Sequence, residues 1–241
     1  MRLNFRNISE KGLHPKIYFP FLLVVLMAIL PLVPQNPFYE DIIVSSFFYG
    51  AMALAWNLVG GFAGQISLGH TGFFGIGAYT STLLYLHYAL SPWLGMLAGA
   101  VLSMLVAVGI GIPCFRLKSH FFALATIAIG EVLRYLASYW RGLTQGGVGL
   151  LIPFKPGIEN FMFKSKLPYA YIALALMLVM LFICYGIRKS RFGFHLISLR
   201  EDQDAAESLG VKTSRSKLIA LAISAFFTSI TGTFYAQYIL F

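Results

Sequence analysis

The sequence predicts an all-α polytopic membrane protein with about seven transmembrane helices. Apolar residues make up 58% of the 241 positions and charged residues only 11%, whereas a soluble globular domain is about half apolar and about a quarter charged. Residues 42–115 form a run of 74 positions without Asp, Glu, Lys or Arg, and one helical crossing of a bilayer needs about 20. That run alone therefore provides three crossings with their connections.

The amino-terminal segment, residues 1–16, is basic and is expected to lie in the cytoplasm. It carries four Lys or Arg residues against one acid, and the apolar run 17–33 follows it directly. A cleaved signal peptide is the alternative, but no small-residue cleavage site follows the run. We therefore predict that residues 17–241 form one transmembrane domain whose first span is the run 17–33.

Six further spans follow, and their connections carry a charge signal. The parts expected in the cytoplasm hold 13 Lys or Arg residues, against four in the long outer connection, residues 141–167. Because basic residues concentrate in cytoplasmic loops, this asymmetry predicts a multi-pass membrane protein with a cytoplasmic amino terminus. The six spans are expected at residues 42–60, 71–90, 93–113, 119–140, 168–187 and 218–241.

A glycine-rich stretch, residues 60–79, separates the second and third spans. Seven glycines lie between positions 60 and 77, and the polar residues among them have no charged neighbour. A broken polar segment at membrane depth is tolerated only where protein or a water-filled cavity surrounds it. We therefore predict that Gln65, Ser67, His70 and Thr71 line a translocation path near the cytoplasmic side.

Small residues in this stretch also suit helix packing. Ser67, Thr71 and Gly75 recur every four residues, a spacing that lets two membrane helices approach closely. Packing alone explains the stripe as well as a pathway does. We assign Gly60, Gly64 and Gly75 to close packing and keep the polar side chains as path candidates.

Two charged residues lie inside the fifth span. Glu131 and Arg134 are three positions apart and share part of a helix face. An ionisable group at this depth points to function by default, so Glu131 is a further path candidate. The alternative is a neutralising ion pair in which Arg134 reaches the outer surface.

Several other classes of protein are disfavoured. The GGVG sequence at residues 146–149 lacks the Lys-Ser/Thr of a phosphate-binding loop, and no catalytic triad or zinc-protease motif is present. Cys114 and Cys184 have neither CxxC spacing nor clustered His partners. The basic residues that give the net charge of +9 lie between the apolar segments, as residues that determine membrane topology do. We predict a non-catalytic protein without a metal, a cofactor or a nucleic-acid partner.

The charged segment before the last span, residues 199–217, predicts a short helix outside the membrane. Ala205, Ala206 and Leu209 recur on one side, the acids come early, and Gly210 is a suitable carboxyl-terminal stop. Bases after the glycine suit the helix dipole. Such a helix is shaped to dock into a groove of a partner, and a solvated loop is the alternative.

Four stretches of the sequence carry a family pattern in the same order and spacing. They are WNLVGGFAGQISLGHTGFFGIGAYT (56–80), FRLKSHFFALATIAIGEVLR (115–134), RFGFHLISLREDQDAAESLGVKTSRSK (191–217) and ISAFFTSITGTFYA (223–236). Together they resemble the LivM-type permease of bacterial branched-chain amino acid ABC importers. Members of that family continue through further spans, so the resemblance also implies that this chain is truncated relative to the family.

The resemblance implies a location in the bacterial plasma (inner) membrane, a function and a set of partners. A LivM-type permease moves branched-chain or related amino acids into the cytoplasm with a second, LivH-type permease, two cytoplasmic ATPases and an external solute-binding protein. ATP would then bind to the partners and not to this chain. The resemblance also places a coupling helix, which receives ATP-driven motion, in the region 199–211. Its matching residues are Arg200, Glu201, Asp202, Ala205, Ala206, Glu207, Leu209 and Gly210.

Two other functions are compatible with the sequence. In an ion-coupled secondary carrier of small solutes, Glu131 and His70 would handle protons. Such a carrier does not need the charged helix before the last span. A membrane scaffold that moves no solute is the third interpretation.

Overall fold

The computed structural model describes residues 15–33, 36–115 and 119–241. Most of the predicted cytoplasmic segment 1–16, and the basic residues Arg116 and Lys118, lie outside the described residues. The described residues form ten α-helices and no strand longer than an isolated bridge. The helices are α1 Pro15–Ile29, α2 Pro37–Asn57, α3 His70–Tyr88, α4 Pro92–Cys114, α5 Ser119–Tyr139, α6 Arg141–Thr144, α7 Leu167–Lys189, α8 Arg191–Glu201, α9 Gln203–Ser208 and α10 Thr213–Ile239.

Each of the seven predicted spans corresponds to one long helix, and the all-α class is confirmed. Prolines fix several of the starts, because proline is favoured in the first turn of a helix, where its missing N–H needs no partner. Pro37 and Pro92 begin α2 and α4. Asn36 caps α2, since its side chain accepts a hydrogen bond of 3.0 Å from the backbone N–H of Phe38.

Five segments of the described chain are long and apolar enough to cross a membrane, which makes this a polytopic membrane protein. Helix α3 is not one of these five, because its polar and glycine residues make it less apolar. It packs against α4 and α10. The described apolar part of α1, Leu22–Leu32, is shorter. The five are Pro37–Phe62, Pro92–Cys114, Phe121–Tyr139, Leu167–Lys189 and Thr213–Ile239.

Helix α10 is the central element of the bundle and packs against α2, α3 and α4. Of the five apolar segments it is the most buried, with 67% of its most apolar stretch inside the protein. Glycines let its backbone touch that of α3. A Cβ on Gly77 would lie 2.0 Å from the carbonyl oxygen of Ser229, and one on Gly232 would lie 2.0 Å from that of Phe74. Larger residues at these crossings would force the helices apart.

The connection between α6 and α7 folds over one end of the bundle. Phe161 is fully buried and stacks on Trp93, with 4.3 Å between the ring centroids. The indole N–H of Trp93 donates to the carbonyl of Ile158 at 2.8 Å. The helices α8 and α9 lie at the other end, because α7 separates them from this connection by 23 residues, about 35 Å of helix.

Candidate functional site

The joint between α2 and α3, defined as residues 58–70 so that it includes the first residue of α3, is the main irregularity within the bundle. Helix α2 ends in a π-helical turn, Leu58–Phe62, and α3 begins only at His70. Gly64 has a φ of 65°, a left-handed conformation that glycine adopts without a steric penalty. Turns of the π type are frequent at functional sites. The break predicted from the glycine-rich sequence is present at this position.

Three of the four polar path candidates are buried in the joint. Gln65, Ser67 and His70 expose 6%, 1% and 4% of their surface. His70 Nε2 lies 2.8 Å from Ser224 Oγ, and that hydroxyl donates to the carbonyl of Ala55 at 2.6 Å. Because the hydroxyl proton is used in this way, Nε2 of His70 must be the donor. The imidazole of His70 therefore ties the start of α3 to α10.

Each of these three side chains also has a buried atom without a partner among the described residues. The atoms are Gln65 Oε1, Ser67 Oγ and His70 Nδ1. Buried polar atoms are nearly always hydrogen-bonded to protein or ordered water, and an unsatisfied one carries a desolvation penalty of about 1–3 kcal/mol. Such atoms can form hydrogen bonds with water or with a passing polar solute. All three belong to the six-residue stretch 65–70.

The backbone of the joint is held by two neighbouring helices. The indole N–H of Trp56 donates to the carbonyl of Ser67 at 2.7 Å. The N–H of Leu68 donates to Thr126 Oγ1 of α5 at 3.1 Å. A Cβ on Gly69 would lie 2.3 Å from the carbonyl of Thr126. The backbone of the joint is thus anchored, whereas one atom of each of its three buried polar side chains has no partner among the described residues.

Thr71 and Glu131 do not join the buried polar side chains. Thr71 is exposed on the first turn of α3. Glu131 is also exposed and forms an ion pair of 2.6 Å with Arg134, whose guanidinium lies over the ring of Tyr135. Within the described residues no hydrogen bond connects Glu131 to His70. The ion pair weighed as an alternative is thus present, and it lies on the outer face of α5.

The stripe of small residues at every fourth position does not form one helix face. Ser67 precedes the start of α3 and is not helical, so it does not continue the line of Thr71 and Gly75. A Cβ on Gly75 would meet no atom within 4 Å. Gly75 therefore makes no close packing contact within the described residues, and its assignment to helix packing stays a prediction.

Gly60 and Gly64 do lie against neighbouring side chains. A Cβ on Gly60 would come within 2.3 Å of the Trp56 ring, and one on Gly64 within 2.6 Å of Arg200 Cγ. The glycines at the interhelical crossings were missed. The four-residue spacing of small residues is also present on α4 and could have indicated these crossings. Gly95, Gly99 and Ser103 recur every four residues there, and all three are buried.

The charged region 199–211 contains the end of one helix and the whole of another. Arg200 and Glu201 belong to the last turn of α8, and Asp202 interrupts the helix with an extended backbone. The Asp202 carboxylate then caps α9 by accepting from the N–H groups of Asp204 and Ala205 at 2.9 and 3.0 Å. Gly210 ends the segment with a φ of 85°, as expected for a carboxyl-terminal glycine.

The predicted apolar side of this segment is divided in the structure. Ala206 is buried, whereas Ala205 is exposed and Leu209 exposes 85% of its surface. The reason is that Leu209 follows the end of α9 and so leaves the face on which Ala206 packs. The exposed pair is free to contact a partner, and Ala206 holds α9 on the bundle.

Polar contacts fix α9 to the start of α10. Glu207 accepts hydrogen bonds from the hydroxyl of Thr213 and from Gln203 Nε2, the latter at 3.1 Å, and these bonds hold the pKa of the Glu207 carboxyl below its ordinary value. Lys217, only 3% exposed, donates to Gln203 Oε1 at 2.6 Å. Glu207 and Lys217 therefore orient α9 from within the chain.

Arg200 connects the charged region to the joint. Its Nη1 donates to the carbonyl of Gly61 at 3.2 Å, and its Nε and Nη2 donate to Glu201. The predicted coupling region and the predicted path residues are thus brought to the same end of the bundle.

Helix α10 contains a second group of buried polar side chains that the sequence analysis did not single out. Gln237 is fully buried, and neither of its amide atoms has a partner among the described residues. Thr233 donates to the carbonyl of Gly77 at 2.9 Å. The sequence feature that could have indicated this group is the high share of Ser and Thr in an otherwise apolar span. The fully buried hydroxyl residues of α10 are Ser224, Thr228, Ser229 and Thr233.

A charged cluster at the far end of α2, which we call the Asp41 cluster, was also missed. Asp41 Oδ2 accepts from Lys166 Nζ at 2.5 Å, and Oδ1 accepts from the hydroxyl of Tyr238. Lys166 Nζ also donates to the carbonyl of Pro37 at 3.2 Å. The cluster joins the start of α2, the start of α7 and the end of α10, and it borders an open cavity of about 550 Å³.

Comparison with known proteins gives one family. The model of the family described as "Branched-chain amino acid transport system / permease component" matches residues 38–241. The high-affinity branched-chain amino acid transport system permease protein LivM of Salmonella typhimurium is 30% identical in an alignment of 239 positions that covers 88% of this chain and 56% of that protein. LivM of Escherichia coli is 29% identical in an alignment of 270 positions that covers 96% of this chain and 64% of that protein.

More distant relatives are permeases for other solutes. The guanosine ABC transporter permease protein NupQ of Bacillus subtilis is 28% identical over 219 residues, which cover 81% of this chain and 67% of that protein. No solved structure matches the chain. The chain spans about three fifths of the length of the two LivM proteins.

Proposed function

The chain belongs to the family of branched-chain amino acid transport system permease components, and from that premise we propose that it is a transmembrane permease subunit of an ABC importer. Its solutes are branched-chain or related amino acids, which it moves into the cytoplasm. The chain itself is non-catalytic, and ATP hydrolysis by partner subunits drives transport. The two LivM relatives support the choice of solute.

One observation carries this proposal: the arrangement of α8 and α9 beside the joint. The two short helices stand between the apolar helices α7 and α10, and Arg200 joins them to the backbone of Gly61. A partner that displaces α9 would therefore act on the element that bears Gln65, Ser67 and His70. A carrier driven by an ion gradient does not need such an external helix pair.

The proposed partners follow from the family. They are a second, LivH-type permease, two ATPases that contact the α8–α9 side, and an external solute-binding protein. The charge asymmetry of the sequence supports a cytoplasmic position for α8, α9 and the amino terminus. Exposed Leu209 and Ala205 would contact an ATPase directly, whereas Glu207 and Gly210 would fix the orientation of α9.

The test is transport by the assembled complex. The chain would be co-expressed with its partner subunits, reconstituted in proteoliposomes, and assayed for uptake of labelled leucine with and without ATP inside. We expect ATP-dependent uptake that requires this chain and the binding protein. The control contains ATPase subunits that bind but do not hydrolyse ATP. Equal uptake with active and inactive ATPases would overturn the proposal.

A second solute class has a specific observation in its favour. NupQ, which is named for guanosine, matches 81% of this chain, so nucleosides are the competing substrates. Uptake of labelled leucine would be measured against excess unlabelled leucine, isoleucine or guanosine. We expect the two amino acids to compete and guanosine not to compete. The reverse order would assign the chain to nucleoside transport within the same mechanism.

The ion-coupled carrier is the alternative from another class. It requires Glu131 and His70 to exchange protons with the pathway, but Glu131 is paired with Arg134 on the outer face of α5. A carrier predicts uptake driven by a pH gradient in the absence of ATP. Proteoliposomes with an imposed pH gradient and no nucleotide would distinguish the two mechanisms.

A further inference from the structure

Arg200 makes two kinds of contact with the joint. Its guanidinium Nη1 donates to the carbonyl of Gly61 at 3.2 Å, and its Cγ lies 2.6 Å from the position of a Cβ on Gly64. The last carbonyls of a helix have no partner within the helix, and a cation near them complements the helix dipole. Arg200 of α8 therefore caps the end of α2 from outside.

Three buried side-chain atoms in the joint that Arg200 caps lack a hydrogen-bond partner among the described residues. Gln65 Oε1, Ser67 Oγ and His70 Nδ1 have no partner in the described structure. Moving these atoms into contact with water would give each a hydrogen bond that it lacks, and would remove the penalty of burying it. A displacement of the joint that exposed these atoms to water would therefore be favoured by their hydration and opposed by its contacts with Trp56, Thr126 and Ser224.

From these contacts we propose that Arg200 is the positioning residue that transmits a displacement of α8 and α9 to the joint. While Arg200 caps Gly61, the polar side chains of the joint stay buried. When a partner pulls α8 away, the cap is lost and Gln65, Ser67 and His70 turn toward water and solute. The inference rests on the proposed function, because the partner ATPases supply the displacement.

The contact is specific to Arg200 among the side chains of α8. Within the described residues its bond to Gly61 is the one hydrogen bond from α8 to the joint. Arg191 lies at the start of the same helix, is exposed, and makes no hydrogen bond to the joint. Arg191→Gln therefore removes the same charge from the same helix without touching the cap, which makes it a matched control for Arg200→Gln.

The experiment compares the parent complex with these two variants, each assembled with its partner subunits. Hydrogen–deuterium exchange of residues 58–70 reports on the joint, and the number of solute molecules moved per ATP reports on coupling. For Arg200→Gln we expect about tenfold faster exchange of the joint amides, since a hydrogen bond from a charged group is lost. We also expect at least about a fivefold fall in solute moved per ATP, with ATPase binding retained. Arg191→Gln should stay within about twofold of the parent in both measurements.

A second variant keeps the test decisive if Arg200→Gln fails to assemble. Gly64→Ala places a Cβ only 2.6 Å from Arg200 Cγ. Alanine is also disfavoured at the φ of 65° found at this position. The substitution should therefore loosen the joint, as Arg200→Gln does. Unchanged exchange in both variants would overturn the inference, and so would a loss of transport that only matched a loss of ATPase binding. ATP-independent uptake by the parent complex would instead overturn the proposed function.

Discussion

At the Asp41 end of α2, the carboxylate accepts hydrogen bonds from an ammonium group and a phenol, and the three groups come from three elements. At the joint end of the same helix, three buried polar atoms have no partner among the described residues. Both ends are rich in polar groups, so polarity does not distinguish them. They differ in how completely those groups are paired.

This difference indicates which end of α2 is built to move. A paired cluster resists displacement, because separating its members leaves a charge without a partner. A buried atom without a partner gains a hydrogen bond when it moves into water. The contact between Arg200 and Gly61 lies at the unpaired end. We therefore expect the Asp41 end to act as the fixed point of α2 and the joint end to respond to partners.

The largest effect on stability is expected from breaking the paired end. Asp41→Ala removes the acceptor of both Lys166 and Tyr238. Because the ion pair is partly exposed, with side-chain exposures of 34% and 48%, we expect a loss of about 2 kcal/mol and not the value of a fully buried pair. Thermal unfolding of the purified chain in detergent, followed by tryptophan fluorescence, measures the change.

The matched control for Asp41→Ala is Glu40→Ala on the same turn. Among the ion pairs of the described residues, none includes Glu40. Its contribution should therefore be limited to the dipole of α2, which is well under about 1 kcal/mol at an accessible site. Equal destabilisation by the two substitutions would show that the Asp41 cluster does not hold this end of α2.

An intermediate effect is expected from two serines near the joint. Ser224→Ala removes the acceptor of His70 Nε2 and the donor to Ala55, and it should cost about 1–2 kcal/mol because His70 is then left without a partner. Ser67→Ala removes a buried hydroxyl that has no partner, so it should leave stability unchanged or raise it by up to about 1 kcal/mol.

The opposite signs expected for the two serines test the comparison of the two ends directly. Both substitutions delete one buried hydroxyl, so a general effect of burying serine would move both in the same direction. Unfolding temperatures of the two variants would be measured side by side with the parent. A clear loss of stability in Ser67→Ala would show that its hydroxyl is paired, and that the joint is as well satisfied as the Asp41 cluster.

The smallest effect concerns pH and the docking of α9. The pKa of Glu207 is lowered in the folded chain by hydrogen bonds from Thr213 and Gln203. A group with a lowered pKa contributes stability that is present above its unfolded value and is lost as pH falls through its folded value. Exchange of the amides of α9 should thus be steady from pH 8 to about 5 after correction for intrinsic rates, and increase only below the ordinary value of 4.5.

Glu207→Ala supplies the control for this pH dependence. It removes the acceptor of Thr213 and Gln203, so α9 should already exchange faster at neutral pH and show a smaller step below pH 4.5 than the parent does. A parent protein whose α9 loosened near pH 6 would contradict the assignment, because a carboxyl with a lowered pKa does not titrate there.

Much of the fold follows from local sequence patterns. The bounds of the long helices agree with the predicted spans to within about five residues, because apolar runs and prolines act over short stretches of chain. The break before α3 was predicted for the same reason. The site was predicted less well, since Glu131 and Thr71 proved exposed and Gly75 faces open space. Spacing along the chain does not say which face of a helix meets a neighbour.

The sequence by itself determined that this chain is a polytopic helical membrane protein of a permease family, and that a glycine-rich break and a charged cytoplasmic-type segment interrupt its spans. Only the tertiary structure placed Arg200 on Gly61, Ser224 on His70 and Asp41 between Lys166 and Tyr238. These pairs are separated by 125 or more positions in the chain, with separations of 139, 154, 125 and 197. Helix propensity and hydropathy act between near neighbours, whereas such contacts depend on how the helices pack together.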